Sequence, residues 1–103
     1  MAIAVFMVKA TIPRRHEARF NRWYNQKHCP EVLRYPGVVS ARRYRALMGD
    51  DRYQYLAMYE MQDEKTLRAF LKSAHLKALK RDYDRHFGKV SERARLAYVQ
   101  VWP

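Results

Sequence analysis

The chain has few of the residues that lock or interrupt a fold, with one cysteine, three glycines and four prolines among 103 residues. Because Cys29 is alone, no disulfide can form within the chain, which is typical of a reducing compartment, and we expect a cytoplasmic protein. No low-complexity tract, repeat or linker divides the sequence, so residues 1–103 are predicted to form one domain. The apolar run at residues 2–8 is too short to span a membrane, and no basic region precedes it as in a signal peptide.

Acidic residues are also scarce, since 10 Asp and Glu stand against 21 Lys and Arg, which gives a formal net charge of +11 and an isoelectric point near 10.2. Such a balance is found in nucleic-acid-binding domains. Here, however, the basic residues are spread along the chain, and the aromatic RNP1 run of RNA-recognition domains is missing. We therefore expect a solvated basic surface and no nucleic-acid partner, with RNA binding as the alternative reading.

Apolar residues make up 49% of the chain, which is enough for a folded core, and their spacing predicts the elements. Residues 2–10 are apolar at both alternating sets of positions and predict a strand covered on two faces. Within residues 14–27 the large apolar residues recur at helical spacing, which predicts an amphipathic helix, and Pro30 is expected to end or kink it. The remaining elements are a hairpin of strands at 38–47 and 53–61 with a loop of about five residues, a helix from its N-cap Asp63 to Gly88 with a bend near Ser73, and a strand at 95–102.

This order of elements, β-α-β-β-α-β, predicts an α+β protein of the ferredoxin-like type, with a four-stranded antiparallel sheet and two helices on one face. Two helices cover only one side of such a sheet. Because the first strand is apolar on both sides, the open side needs a cover. We expect a homodimer in which the sheets of two copies pack together.

A metal site is not expected, although His28 and Cys29 are adjacent and both residue types bind zinc. Three or four protein ligands are normally required. His75 and His86 are eleven residues apart, roughly 16 Å on one helix, which is too far to share an ion. The letters "HCPE" match half of the zinc-deaminase signature, but a chain with one cysteine cannot supply the P-C-x-x-C half. Cys29 is therefore interpreted as incidental.

The candidate chemistry lies in an aromatic stripe that ends in a histidine. Phe20, Tyr24 and His28 are spaced i, i+4, i+8, so on a continuous helix they share one side. An imidazole takes or gives a proton near neutral pH, and a tyrosine hydroxyl can donate to a developing oxyanion. The alternative is that His28 caps the helix or bonds a carbonyl there. No nucleophile elbow, phosphate loop or dinucleotide fingerprint is present.

The stretch "FNRWYNQKHCPEVLRYPGVVSARRYRA", followed by "YLAMYEM" and a second helix, resembles the EthD-type family of the dimeric α+β-barrel superfamily. Members tend to carry W/Y-x-x-x-H-x-P-x-x-x-x-x-P-G-V after the first strand, and Tyr24, His28, Pro30 and Pro36-Gly37-Val38 match that pattern in order. The resemblance covers nearly the whole chain. It implies a ligand cavity between the sheet and the helices of each subunit, with Tyr24 and His28 as the catalytic residues.

The same superfamily includes polyketide cyclases, dehydratases, lactone isomerases, monooxygenases and haem-degrading enzymes, so the resemblance does not choose a reaction. The first strand lacks the asparagine of the haem-degrading branch, which disfavours that reading. The leading prediction is a small enzyme that needs no cofactor and cyclises, isomerises or dehydrates a hydrophobic aromatic or polyketide-like molecule. The alternatives are a non-catalytic binding dimer auxiliary to a catabolic oxygenase, and a monooxygenase of the same superfamily.

Several aromatic residues are candidates for the substrate-binding wall, with simple core packing as the alternative role. They are Phe6, Trp23, Tyr55, Tyr59, Tyr83 and Trp102. Arg43 shares a strand face with Arg45. If that face lies in the barrel, Arg43 would favour an anionic or phenolate ligand, and otherwise it would pair with Glu60 or Asp63 at the surface.

Overall fold

The computed structural model describes residues 2–103 and contains four strands and four α-helices. In chain order they are β1 Ala4–Thr11, α1 Arg14–Trp23, a π-helical turn Tyr24–His28, α2 Cys29–Leu33, β2 Val38–Arg45, β3 Tyr55–Met61, α3 Glu64–Leu71, α4 Ala74–Phe87 and β4 Glu92–Val99. The strands form one sheet in the order β2-β3-β1-β4, with every neighbouring pair antiparallel. This is the predicted ferredoxin-like α+β fold.

One of the two central strands, β1, places one set of alternating side chains under the helices. Ala4, Phe6, Val8 and Ala10 are all buried, and they belong to the same cluster as the buried residues of the helices. The opposite set, which includes Met7, is only half-buried. Met7 lies opposite Met58 of β3 and Leu96 of β4, so an apolar strip runs over three strands of the open face and ends at Arg42 of β2.

The first helical unit consists of α1, the π-helical turn and α2 and covers residues 14–33. It continues through Pro30, contrary to the prediction that this residue ends or kinks the helix. A π-helical turn precedes the proline, and its Cys29 N–H donates to the Tyr24 carbonyl five residues back. In a regular α-helix, the ring of Pro30 would clash with the carbonyl of Gln26. The wider turn relieves this clash, so the helix continues to Leu33.

The second helical unit, which consists of α3 and α4, is broken near Ser73, where the sequence predicted a bend. Asp63 caps α3 by accepting a 2.8 Å hydrogen bond from the Thr66 amide, as predicted from its position. Ser73 then caps α4 by accepting a 3.0 Å hydrogen bond from the Leu76 amide. Each cap satisfies an amide that has no partner within its helix, so two helices form instead of one bent helix.

Two predicted boundaries are wrong. The β2–β3 connection runs from residue 46 to residue 54 instead of about five residues, and it is closed by a 2.7 Å hydrogen bond from the Ala46 amide to the Gln54 carbonyl. The last strand begins at Glu92 and ends at Val99, so it starts earlier than predicted and does not include Trp102. None of the helices within residues 2–103 is long and apolar enough to cross a membrane.

Candidate active site

A small cavity lies between the sheet and the helices, and both predicted catalytic residues line it. Its volume is about 20 Å³, enough for one water molecule. The lining comprises the rings of Phe6, Tyr24, His28, Tyr59, Phe70 and Tyr83, the aliphatic Val8, Val32, Leu76 and Leu79, and the cations Lys80, Arg93 and Arg95. The sequence therefore folds into an aromatic chamber with one imidazole inside it and three positive charges in its wall.

His28 is positioned by stacking instead of by hydrogen bonds. Only 7% of the residue is exposed, and its Nδ1 is fully buried with no hydrogen-bond partner within residues 2–103. The ring lies against the Trp23 indole and meets the Tyr24 ring edge to face. Its side chain also makes no capping bond to the helix backbone. The alternative reading, in which His28 caps the helix, is therefore wrong.

Burial sets the charge of His28. It lowers the pKa of the imidazole to about 4, because the charged form loses its hydration inside the aromatic chamber. Asp82 acts in the opposite direction, while Arg93 lowers this pKa further. At neutral pH the ring is therefore uncharged, with one nitrogen able to accept a proton and the other able to donate one.

Tyr24 supplies a hydroxyl to the same chamber. Burial raises its pKa well above the ordinary value, and the neighbouring Tyr83 and Cys29 act in the same direction. The hydroxyl therefore stays protonated and is a hydrogen-bond donor at neutral pH. Such a donor is suited to an oxygen on which negative charge develops.

Cys29 is not an activated nucleophile. Its sulfur lies 3.8 Å from the Tyr59 hydroxyl, and burial raises the pKa of the thiol. Because the thiolate is the reactive form, a thiol with a raised pKa is not activated for nucleophilic attack at neutral pH. Among residues 2–103, no group of three His, Cys, Asp or Glu side chains could hold a metal ion.

The hydroxyl of Tyr83 is already used in the fold, unlike that of Tyr24. It donates to Ser91 Oγ at 2.7 Å, and that hydroxyl donates in turn to the Phe87 carbonyl at 2.8 Å. The Arg93 guanidinium lies 3.9 Å from the centre of the Tyr83 ring. Tyr83 therefore gives the cavity its ring face and orients Arg93.

Lys80, Arg93 and Arg95 were not predicted as site residues. Arg93 and Arg95 alternate along β4 on the side of the sheet that faces the helices, and Lys80 approaches from α4. The spacing Arg-x-Arg was a usable signal, because residues i and i+2 of a strand share one face. It was missed because the predicted strand began at Arg95.

Arg43 does not line the cavity of His28, and the predicted alternative partners are also wrong. Its guanidinium donates to Asn21 Oδ1 at 2.8 Å and Asn25 Oδ1 at 2.9 Å and lies 4.5 Å from the centre of the Tyr24 ring. Arg42, on the opposite face of β2, is the residue that pairs with Glu60. Arg43 and Tyr24 thus form a wall beside the cavity.

Beyond that wall lies a wider groove of about 670 Å³ between β2 and the first helical unit, which Arg43, Tyr55, Cys29 and Asn25 help to line.

The predicted ligand residues are therefore divided between the inner cavity, the groove and positions outside both. Phe6, Tyr59 and Tyr83 join His28 and Tyr24 in the inner cavity, whereas Tyr55 lies in the groove. Trp23 packs behind His28. Trp102 is 85% exposed beyond the end of β4, so its assignment to the ligand wall is not supported in this chain.

The four-stranded antiparallel sheet and its helices define a ferredoxin-like α+β fold, which an EthD family protein of known structure shares. Within that fold the chain belongs to the family described as a domain of unknown function, DUF4286, whose model matches residues 3–97. No curated protein sequence matches the chain significantly.

Several solved structures share this fold. An EthD family protein from Bacillus halodurans C-125 is 15% identical, with a TM-score of 0.67 over 93% of this chain and 97% of that chain. SnoaB, a cofactor-independent oxygenase from Streptomyces nogalater, is 18% identical, with a TM-score of 0.65 over 98% of this chain and 95% of that chain. The haem degrader MhuD from Mycobacterium tuberculosis is 14% identical, with a TM-score of 0.71 over 97% of both chains. At these identities the likeness establishes the fold alone.

Proposed function

We propose that the protein is a small enzyme that performs acid–base chemistry, without a cofactor, on a hydrophobic aromatic molecule. One observation carries the proposal: the Nδ1 atom of His28 is buried in an aromatic chamber with no hydrogen-bond partner within residues 2–103. An unsatisfied buried polar atom costs about 1–3 kcal/mol, so retaining one there needs a reason that stability does not provide. Binding a substrate is such a reason.

In the proposed reaction, neutral His28 removes a proton from a carbon next to a carbonyl group of the substrate. The electron pair of the broken C–H bond moves to the carbonyl oxygen, and the Tyr24 hydroxyl donates a hydrogen bond to the resulting enolate. The imidazolium then returns the proton. Return to a different carbon completes an isomerisation, loss of hydroxide as water completes a dehydration, and attack of the enolate carbon on a second carbonyl completes a cyclisation.

The substrate needs more room than the closed cavity offers. A cavity that holds benzene measures about 150 Å³, whereas this one measures about 20 Å³. The Tyr24–Arg43 wall separates it from the groove of about 670 Å³. A rotation of these two side chains would join the spaces, and we propose that substrate enters in this way.

Hydrogen exchange tests the proton transfer without knowledge of the natural product. Two probes are suitable, phenylpyruvate and its uncharged analogue 1-phenylpropan-2-one, because each has acidic benzylic protons. In D₂O, the protein is expected to accelerate deuterium incorporation at the benzylic carbon of at least one probe, as followed by proton NMR. His28→Gln is expected to abolish the acceleration, and Tyr24→Phe to reduce it about 10²-fold.

His16→Gln is the matched control, because His16 lies near the start of α1 and is absent from the cavity lining. Exchange by His28→Gln at the rate of the unaltered protein would show that the imidazole is not the base. Exchange no faster than in buffer with both probes would contradict the proposed activity.

Two other functions would use the same cavity. The likeness to SnoaB, described as a cofactor-independent oxygenase, favours an oxygenase as the second candidate. Oxygen consumption with a phenolic substrate would identify that activity. Binding of the probes without exchange or oxygen uptake would instead identify a binding protein.

We also propose that two copies associate through the open face of the sheet. The support is the apolar strip of Met7, Met58 and Leu96 on that face, which the helices of the same chain do not cover. A second support is the likeness to a structure from Bacteroides fragilis described as a dimeric protein with a ferredoxin-like fold.

A further inference from the structure

Three cations meet at one side of the cavity. Lys80 comes from α4, whereas Arg93 and Arg95 come from β4, and all three line the same space as His28. Only Arg93 has an acidic partner, Asp84, at 2.8 Å, and the side chain of that aspartate is 61% exposed. Within residues 2–103, Lys80 and Arg95 form no ion pair. The wall therefore carries more positive charge than the fold neutralises.

This convergence is unfavourable for the chain by itself. Burial lowers the pKa of Lys80, and the charges of Arg95 and Arg93 lower it further. Burial and Arg93 likewise lower the pKa of Arg95. Arg95 is exposed and Lys80 is half-buried, so solvent screens part of this repulsion. A bound anion at this wall would offset the repulsion, because a nearby negative charge favours the charged form of each cation.

The three cations differ in how firmly contacts within the chain hold them. Arg93 is held by the Tyr83 ring and Asp84, so its guanidinium is oriented before any ligand arrives. Lys80 and Arg95 keep their donors available. A planar guanidinium binds a carboxylate through two parallel hydrogen bonds, and a lysine adds a third charge-assisted bond.

We propose that the ligand of this cavity is an aromatic carboxylic acid, whose carboxylate binds Arg95 and Lys80 while its ring occupies the space that opens when the side chains of Tyr24 and Arg43 rotate. The inference rests on the proposed function, since it assumes that the cavity of His28 is the substrate site. It adds to that function that the substrate is negatively charged and that the protein binds it by its carboxylate end. With the carboxylate at the β4 wall, the carbon chain next to it extends toward His28.

Calorimetric titration with phenylacetate and 2-phenylacetamide tests the proposal, because the two molecules have nearly the same shape and differ in charge. We expect the intact protein to bind phenylacetate at least about tenfold more tightly than the amide. Lys80→Met and Arg95→Met should each weaken phenylacetate binding about tenfold and leave the amide unchanged. Lys77→Met is the matched control, because this residue is exposed on the same helix outside the lining.

Arg93 is not altered, because it supports the fold through Tyr83 and Asp84. The two outcomes that would overturn the inference differ in what they imply for the proposed function. Equal binding of both molecules, unaffected by Lys80→Met or Arg95→Met, overturns the carboxylate site and leaves the chemistry of His28 intact. Failure of both molecules to bind at millimolar concentration overturns the carboxylate site together with the use of this cavity for substrate.

Discussion

The imidazole of His28 lies nearly parallel to the indole of Trp23, with ring centroids 4.6 Å apart and planes inclined by 22°. Both rings contain a buried nitrogen without a hydrogen-bond partner in residues 2–103, Nδ1 of His28 and Nε1 of Trp23. The stack fixes the imidazole beside the cavity while leaving its polar atom unsatisfied. A fold built for stability alone would place an apolar ring there.

His28→Leu is therefore expected to leave the protein at least as stable at pH 7, with a gain of about 1 kcal/mol from removing the unsatisfied nitrogen. Urea unfolding followed by circular dichroism measures this difference. Phe20→Leu is the control, because Phe20 is fully buried and its truncation leaves a cavity that costs about 1–3 kcal/mol. A loss above about 2 kcal/mol in His28→Leu would show that the imidazole supports the fold.

Stability should fall as the pH is lowered from 6.5 to 4. The pKa of His28 is about 4 in the folded protein and about 6.5 in the unfolded chain. The unfolded chain binds the extra proton in this interval, so protonation favours unfolding, by about 3 kcal/mol at pH 4.

The difference between the unaltered protein and His28→Leu isolates this effect, since all other groups titrate in both. The unfolding free energies of the two proteins should diverge as the pH falls through this interval. Parallel pH profiles would contradict a neutral buried imidazole.

Asp82 joins the two helical units and is expected to stabilise the fold. Its carboxylate accepts hydrogen bonds from Lys27 and Arg85, both at 2.8 Å, and these bonds outweigh the effect of burial so that its pKa lies below the ordinary value. Asp82→Asn should cost about 1–2 kcal/mol, a range that allows for the half-exposed Lys27.

The same substitution should lower the pKa of His28 further, because it removes the negative charge that favours the imidazolium. Proton NMR titration of the imidazole measures this shift. Asp84→Asn is the control on the same helix, and its more exposed side chain should change stability by less than about 1 kcal/mol. Equal losses in both variants would contradict the bridging role of Asp82.

The proposed dimer predicts that a charge at the centre of the open sheet face separates the subunits. Met58 lies opposite Met7 in the middle of that face. Light scattering should give twice the chain mass for the unaltered protein and one chain mass for Met58→Lys. Leu71→Lys, an exposed position on α3, should remain dimeric. A single-chain mass for the unaltered protein at micromolar concentrations would contradict the interface.

The sequence predicted the element order, the helix cap at Asp63 and the burial of the aromatic stripe, because these depend on local residue types and spacing. It did not predict the size of the cavity, which depends on how rings from distant segments pack. The sequence also did not show that Arg43 is separated from His28, because the folding of the chain places the Tyr24 ring between them.

The predicted end of the last strand, at residue 102, is wrong because it was based on local apolar alternation. Val101 and Trp102 continue the apolar alternation of β4, yet the strand stops at Val99. Beyond it, the Gln100 amide donates to the Ile3 carbonyl, and the Gln100 side chain accepts a hydrogen bond from the Ile3 amide. Aromatic and β-branched residues favour strands, but ladder pairing decides where one ends.

The π-helical turn has a consequence for the angular position of the site. Phe20, Tyr24, His28 and Val32 are spaced by four residues and are all buried. Each residue of an α-helix turns the chain by about 100°, so twelve residues would carry Val32 about 120° away from the direction of Phe20. The turn absorbs one extra residue and reduces that divergence to about 20°. A stripe with a strict four-residue period can stay on one side of a helix only with such a turn, and here the turn ends at the imidazole.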